Sequence, residues 1–121
     1  MALEQLREYC LSLPFAEEDT PFDQNILVYK VKNKIFCLFD LNTFDFINLK
    51  CDPELALTLR DKHPEITPAY HMNKKHWNSI ETATEFSKEQ YFAWVLDSYH
   101  LVVKGLPKKE QTSILEALSK L

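Results

Sequence analysis

Residues 26–39 read I-L-V-Y-K-V-K-N-K-I-F-C-L-F, and this stretch decides the fold class. Leu27, Tyr29 and Val31 fall on one side of an extended chain and Lys30 on the other, the period of a half-buried strand. Lys32-Asn33-Lys34 then supplies a turn, because Asn tolerates the left-handed backbone that tight turns need. Ile35 to Phe39 makes the return strand, and the pair is a β-hairpin. Hairpins join antiparallel strands, so the sheet they start is antiparallel. Lys30, Lys32 and Lys34 crowd its tip, where lysines also serve to keep a sheet soluble.

Downstream, Asp45 to Lys50 continues the pattern as a third strand. Ile47 and Leu49 face one way, and Phe46, Asn48 and Lys50 face the other. Asp52 suits a helix N-cap and Pro53 the first helical position, where a missing N–H costs nothing. The helix spans 53–63, carries Leu55, Ala56 and Leu59, and stops at Pro64. Residues 77–82 fit a further strand, with Trp77 and Ser79 opposite Asn78 and Ile80. Ser87 and Gln90 have capping-box spacing and open a helix to Lys104. Its apolar stripe holds Tyr91, Trp94, Val95, Ser98 and Val102, widened by Phe92, Leu96, Tyr99 and Val103. So broad an arc predicts the central helix packed on the sheet. Gly105, the one glycine of the chain, sits at the C-cap position, and a last helix covers 108–120.

Upstream, Leu3, Leu6, Cys10 and Leu13 repeat at helical spacing over residues 2–13, with Pro14 as the stop. Ala16-Glu17-Glu18-Asp19-Thr20-Pro21 fits either a short edge strand or a loop. Its consecutive carboxylates cannot all face one metal ion and read as a solvated acidic edge. The expected architecture is α+β in the order α-β-β-β-α-β-α-α. It is a single compact domain over 1–121, with an antiparallel sheet and the helices packed on one face.

Composition narrows the function classes. The chain has 121 residues, 45% hydrophobic and 26% charged, an ordinary globular balance. No apolar run is long enough to span a bilayer, and Met1 to Arg7 lacks a secretory leader pattern, so no membrane partner is expected. Three cysteines without a C-x-x-C point to reduced thiols in the cytoplasm. One glycine leaves no phosphate-cradling loop and no nucleophile elbow. His63, His71 and His76 lack zinc-motif spacing, and Cys51 reads as an idle thiol rather than a nucleophile. No cofactor, no metal and no enzymatic activity are expected.

The net charge of −4 opposes a strongly basic nucleic-acid binder. The charge is uneven, however. Residues 1–25 hold six acids against Arg7 alone, while 101–121 hold four lysines against two glutamates. A mixed, normally solvated surface accounts for the same charges. The best candidate for a working surface is Tyr70 to Asn78, Y-H-M-N-K-K-H-W-N. Tyr70, Met72 and Trp77 fit core positions alternating with solvated neighbours. The same mixture also suits recognition. Lysines contact phosphates, Asn reads base edges, and His or Trp stacks on bases. It equally suits a cleft for a small molecule or a protein, formed by His71, Asn73, His76 and Trp77.

Three blocks, I-N-L-K-C-D-P-E at 47–54, T-P-A-Y-H-M-N-K-K-H-W-N at 67–78 and S-Y-H-L-V-V-K-G-L-P-K-K at 98–109, resemble the MmcQ/YjbR family. The opening L-P-F-A-E-E-D-T-P-F at 13–22 and the hairpin after it do so as well. The resemblance runs through nearly the whole chain. It implies a small α+β domain like CyaY, the bacterial frataxin, and a DNA-binding label with a "double wing" contact. The matching positions are Lys50, His71, Asn73, Lys74, Lys75, His76 and Trp77, with Lys104, Lys108 and Lys109 as a second basic group. Where the family commonly has glycines in the first hairpin turn, this chain has Lys32-Asn33-Lys34, which leaves the geometry of any wing open.

Overall fold

The computed structural model describes residues 1–70 and 72–121. In chain order the elements are α1 (Leu3–Ser12), β1 (Ala16–Asp19), β2 (Ile26–Val31), β3 (Lys34–Asp40), β4 (Phe46–Lys50) and α2 (Pro53–Lys62). They continue with β5 (Ile66–Pro68), β6 (Trp77–Glu81), α3 (Lys88–Lys104) and α4 (Lys108–Ser119). The six strands form one sheet in the order β1-β2-β3-β4-β6-β5, antiparallel at every step. The fold is α+β with four helices and one six-stranded antiparallel sheet.

The observed order holds two strands more than expected, and both additions are edges. β1 is the acidic stretch that was open between strand and loop. It has no apolar alternation because polar contacts hold it. Arg7 Nε and Nη2 donate to Glu18 at 2.9 and 3.1 Å, Tyr29 Oη donates to the same carboxylate at 2.8 Å, and Lys30 Nζ meets Asp19 at 2.9 Å. β5 has three residues, too few for any period to show, and its Pro68 is tolerated on an edge strand.

The hairpin turn uses Lys32 and Asn33, at φ 49° and 68°, so both central residues are left-handed. That is the turn whose twist matches the flanking strands. Lys32 Nζ lies 4.5 Å from the centre of the Phe15 ring. Beyond the turn the register slips. Tyr29 pairs with Cys37 and Lys30 with Ile35, which leaves Phe36 as a bulged extra residue. The bulge turns Phe36 toward the helices, where its ring meets Tyr99 edge-on at 5.3 Å.

Helix α3 crosses β2, β3 and β4 on this face, with α1 and α4 packed beside it and α2 lying against β5. Leu6, Cys10, Tyr29, Phe39, Ile47, Leu49, Tyr91, Val95 and Ile114 are among the residues sealed between the layers. The polar groups α3 carries into this core are bonded to the backbone of the strands and of the α1–β1 connection. Ser98 Oγ donates to the Phe36 carbonyl at 2.6 Å and accepts from the Lys50 amide at 2.9 Å. Tyr91 Oη reaches the Glu81 carbonyl and Tyr99 Oη the Pro14 carbonyl, each at 2.7 Å. The caps expected at Asp52 and Ser87 form, to Leu55 N and Gln90 N. Gly105 closes α3 but at φ −83°, so it uses none of its left-handed freedom.

Candidate functional site

Residues 72–76 form a tight turn leading into β6. Asn73 builds it. Its Oδ1 accepts from Lys75 N at 2.9 Å, and its carbonyl accepts from His76 N at 3.1 Å and Trp77 N at 2.9 Å. The turn is strapped to α2 by Arg60, whose Nε donates to Asn78 Oδ1 at 2.6 Å and whose Nη2 reaches the carbonyls of Lys74 and Trp77. It is tied to β4 where Cys51 N donates to the His76 carbonyl at 2.7 Å. Trp77, 8% exposed, packs under the sheet with Val28, Leu38 and Ala69. Asn73 and Trp77 therefore shape the turn. Lys74 and Lys75 are left projecting, with Lys74 Nζ 5.1 Å from the Tyr70 ring centre. His71 lies outside the described residues.

Lys50 is the direct β4 partner of Trp77, so it sits beside this turn on the same face. Lys104, Lys108 and Lys109 are exposed at the end of α3 and the start of α4, in the helix layer on the other side of the sheet. The two basic groups thus share no face. They do share an end. The β2–β3 turn, the last residue of β4 and the first of β6 lie at one end by register. Ser98 reaches Phe36 and Lys50 there, so α3 runs on past that end to Lys104. Lys32, Lys34, Lys50, Lys74, Lys75, Lys104, Lys108 and Lys109 all gather at this end, among Asp52, Glu54, Asp97, Glu110 and Glu17, the β1 partner of Lys30. Asp23, Asp40, Asp45, Glu65, Glu81 and Glu85 flank the strands at the opposite end, with Lys62 and Lys88. The fold sorts a net-negative chain into a basic and an acidic pole.

The sheet face turned away from the helices is concave. A groove of about 670 Å³ runs over it from Phe22 and Ile26 to Tyr70 and Met72. Across its floor the register aligns Asn48, Ser79 and Thr67 on three neighbouring strands. Ser79 Oγ bonds Asn48 Oδ1, and Asn48 Nδ2 donates to the Leu38 carbonyl at 3.2 Å, so the amide is locked in orientation. Arg60 and these groove residues escaped the sequence reading. The exposed Phe46 beside Asn48 on the outward face of β4 was the one local signal for the groove. For Arg60 there was none.

Cys51 is half-buried, and burial, with the nearby Asp52 and Asp97 carboxylates, pushes its thiol up to about 11. It is a thiol, not a thiolate, at neutral pH. Among the described residues no three His, Cys, Asp or Glu side chains group as metal ligands. No helix among them is long and apolar enough to cross a membrane.

The fold and this surface define a class of small single-sheet α+β domains, and comparison with known proteins identifies it. Residues 11–101 match the sequence model of the family described as YjbR. The chain is 41% identical over 112 residues to the uncharacterized protein YbdF of Escherichia coli O157:H7, covering 92% of each. It is 28% identical over 117 residues to the uncharacterized protein YjbR of Escherichia coli K12, covering 96% of this chain and 99% of that one. The crystal structure of a Deinococcus radiodurans protein superposes with a TM-score of 0.87 at 36% identity, over 93% of this chain and 87% of the other. A Pseudomonas syringae crystal structure gives 0.72 at 27% identity, over 84% and 99%. The chain belongs to the YjbR family.

Proposed function

We propose that this protein is a non-enzymatic binding domain that holds DNA by its phosphates at the basic pole. The observation that supports this reading is the segregation of charge by the sheet register. A net charge of −4 repels a polyanion only on average. A surface that gathers eight lysines against five carboxylates at one end is locally positive there within a Debye length. Lys74 and Lys75 are the leading contacts because the Asn73 turn and the Arg60 strap fix the backbone beneath them. Lys50 supports them on the same face, and Lys104, Lys108 and Lys109 add a second line across the sheet. The high thiol pKa of Cys51 supports the non-enzymatic part, and the three free thiols support a cytoplasmic setting. A sheet with helices on one face also supports the CyaY-like comparison.

Fluorescence anisotropy with a labelled duplex at about 50 mM salt tests the proposal. Binding is expected on the non-specific scale of roughly 10⁻⁶ to 10⁻⁴ M, weakening steeply with salt. Changing Lys74 and Lys75 together to Ala should reduce the slope of log affinity against log salt by about 2. No binding at protein concentrations well above ~10⁻⁴ M sinks the reading.

The cleft alternative finds different residues. Asn73 and Trp77 are spent on the turn, and what is concave is the open sheet face, to which the stretch contributes Tyr70 and Met72.

A further inference from the structure

We propose that the groove on the open sheet face is a second, separate binding site, built for a planar aromatic cation. Three features of the groove carry this. The first is shape. About 670 Å³ falls in the range of small-molecule sites, and the volume lies over a rigid sheet rather than between mobile segments. The second is the wall chemistry. Phe22 and Tyr70, 64% and 72% exposed, rise from the two flanking loops, and Phe46 lines the floor near Phe22's end of the sheet. Aromatic side chains left this exposed offer π faces to a flat ligand, and those faces attract positive charge.

The third is the polar pattern. An apolar groove needs few polar groups to orient its ligand. Here they are the row Asn48–Ser79–Thr67 and one carboxylate, Asp40. Asp40 is the one charged side chain among the described residues lining the groove. Its Oδ1 accepts from the amides of Asn42 and Thr43 at 2.8 and 3.3 Å, which holds the carboxylate in place. Phe22 and Phe46, at one end of the groove, adjoin Asp23 and Asp45 in the chain. Asp40 repels an anionic ligand, and a neutral one leaves unused the carboxylate oxygen that the Asn42–Thr43 turn does not engage. A ring system carrying a delocalised positive charge and N–H donors satisfies the aromatic walls, Asp40 and the Ser79 hydroxyl at once.

Proflavine, a flat tricyclic cation with two amino groups, is a direct probe in the absence of nucleic acid. Fluorescence titration is expected to give saturable binding of one dye per chain. Amide chemical shifts are expected to move at Phe46, Asn48, Thr67 and Ser79. The anionic dye anilinonaphthalene sulfonate should bind at least tenfold more weakly. Asp40→Asn keeps the oxygen that caps the Asn42–Thr43 turn but loses the charge. It should weaken proflavine by about tenfold or more, as for a lost charge-assisted hydrogen bond. Lys74 lies against the Tyr70 wall, so the control uses the other basic group: changing Lys104, Lys108 and Lys109 to Ala, across the sheet, should leave the dye unaffected, which separates this site from the DNA surface.

Equal affinity for the two dyes, or an Asp40→Asn protein that binds proflavine like the parent, overturns the assignment. So does the absence of saturable proflavine binding at millimolar dye. A dimer in analytical ultracentrifugation that Phe46→Glu abolishes would give the face to a second copy of the chain and overturn it as well.

Discussion

On β4 the side chains of Ile47 and Leu49 turn to the helices and are sealed, while Phe46, Asn48 and Lys50 turn the other way and meet solvent. The same alternation runs through β6, where Ile80 enters the core and Trp77 and Ser79 face outward. One sheet therefore has a closed face, where the hydroxyls of Tyr91, Ser98 and Tyr99 are each matched to a backbone group, and an open face with a polar row in an apolar groove. The closed face holds the larger core, and the open face a smaller one of Val28, Leu38, Ala69 and Trp77. The open face and the basic pole beside it also leave exposed the groups on which the proposed binding rests.

The largest test of that contrast is a pair of neighbouring substitutions. Ile47→Ala, at a fully buried position, should cost about 2–5 kcal/mol, the usual range for emptying a core site. Phe46→Ala, at a position 41% exposed, should cost less than about 1 kcal/mol in the same urea denaturation series. Equal losses would mean that the open face is covered in solution.

The next test cuts the link between the two regions. Arg60→Ala removes the donor to the buried Asn78 Oδ1 and to two turn carbonyls. A cost of about 1–3 kcal/mol is expected for leaving such a group unpaired. Hydrogen exchange should quicken at His76 and Trp77. Arg60→Lys should recover only part, because a single ammonium cannot serve three acceptors as the guanidinium fork does. Unchanged exchange would show that the turn holds itself through Asn73 alone.

The smallest effect lies at the β1 edge of the closed face. Burial alone would raise the Glu18 carboxyl, but the hydrogen bonds from Arg7 and Tyr29 outweigh it and hold the group below the usual Glu range. A depressed folded-state pKa adds stability that is fully present above the ordinary value near 4.3 and is lost as pH falls through the folded value. The stability curve should therefore bend down below about pH 4, and Glu18→Gln should flatten that limb. Arg7 is well exposed, so the effect is small. An acid limb identical in both proteins would remove Glu18 from the account.

The local features were legible because neighbours in sequence decide them. The hairpin alternation, the N-caps at Asp52 and Ser87, and the broad apolar arc of α3 each depend on residues within a few positions. The strand β1 was half legible, since its partners Arg7, Tyr29 and Lys30 lie eleven residues or more from the groups they bind. The bulge at Phe36 was not legible, because a serine 62 positions away satisfies its carbonyl. Of the residues proposed for binding, Lys74, Lys75 and the carboxy-terminal lysines are exposed and Lys50 half-exposed. Asn73 caps the turn and Trp77 is buried on the open face, contacts set by neighbours that no local pattern names.

By itself the sequence determined the family, the α+β class and the alternation that makes a two-faced sheet, since periodicity and capping act over a few residues. The tertiary structure alone decided that β6 inserts between β4 and β5, and every larger feature follows from that. The insertion brings Ser79 between Asn48 and Thr67, sets Trp77 opposite Lys50, and carries the 72–76 turn to the lysine end of the sheet. Those neighbours are 12 to 31 positions apart in the chain, and only the closure of long loops onto a common sheet brings them together.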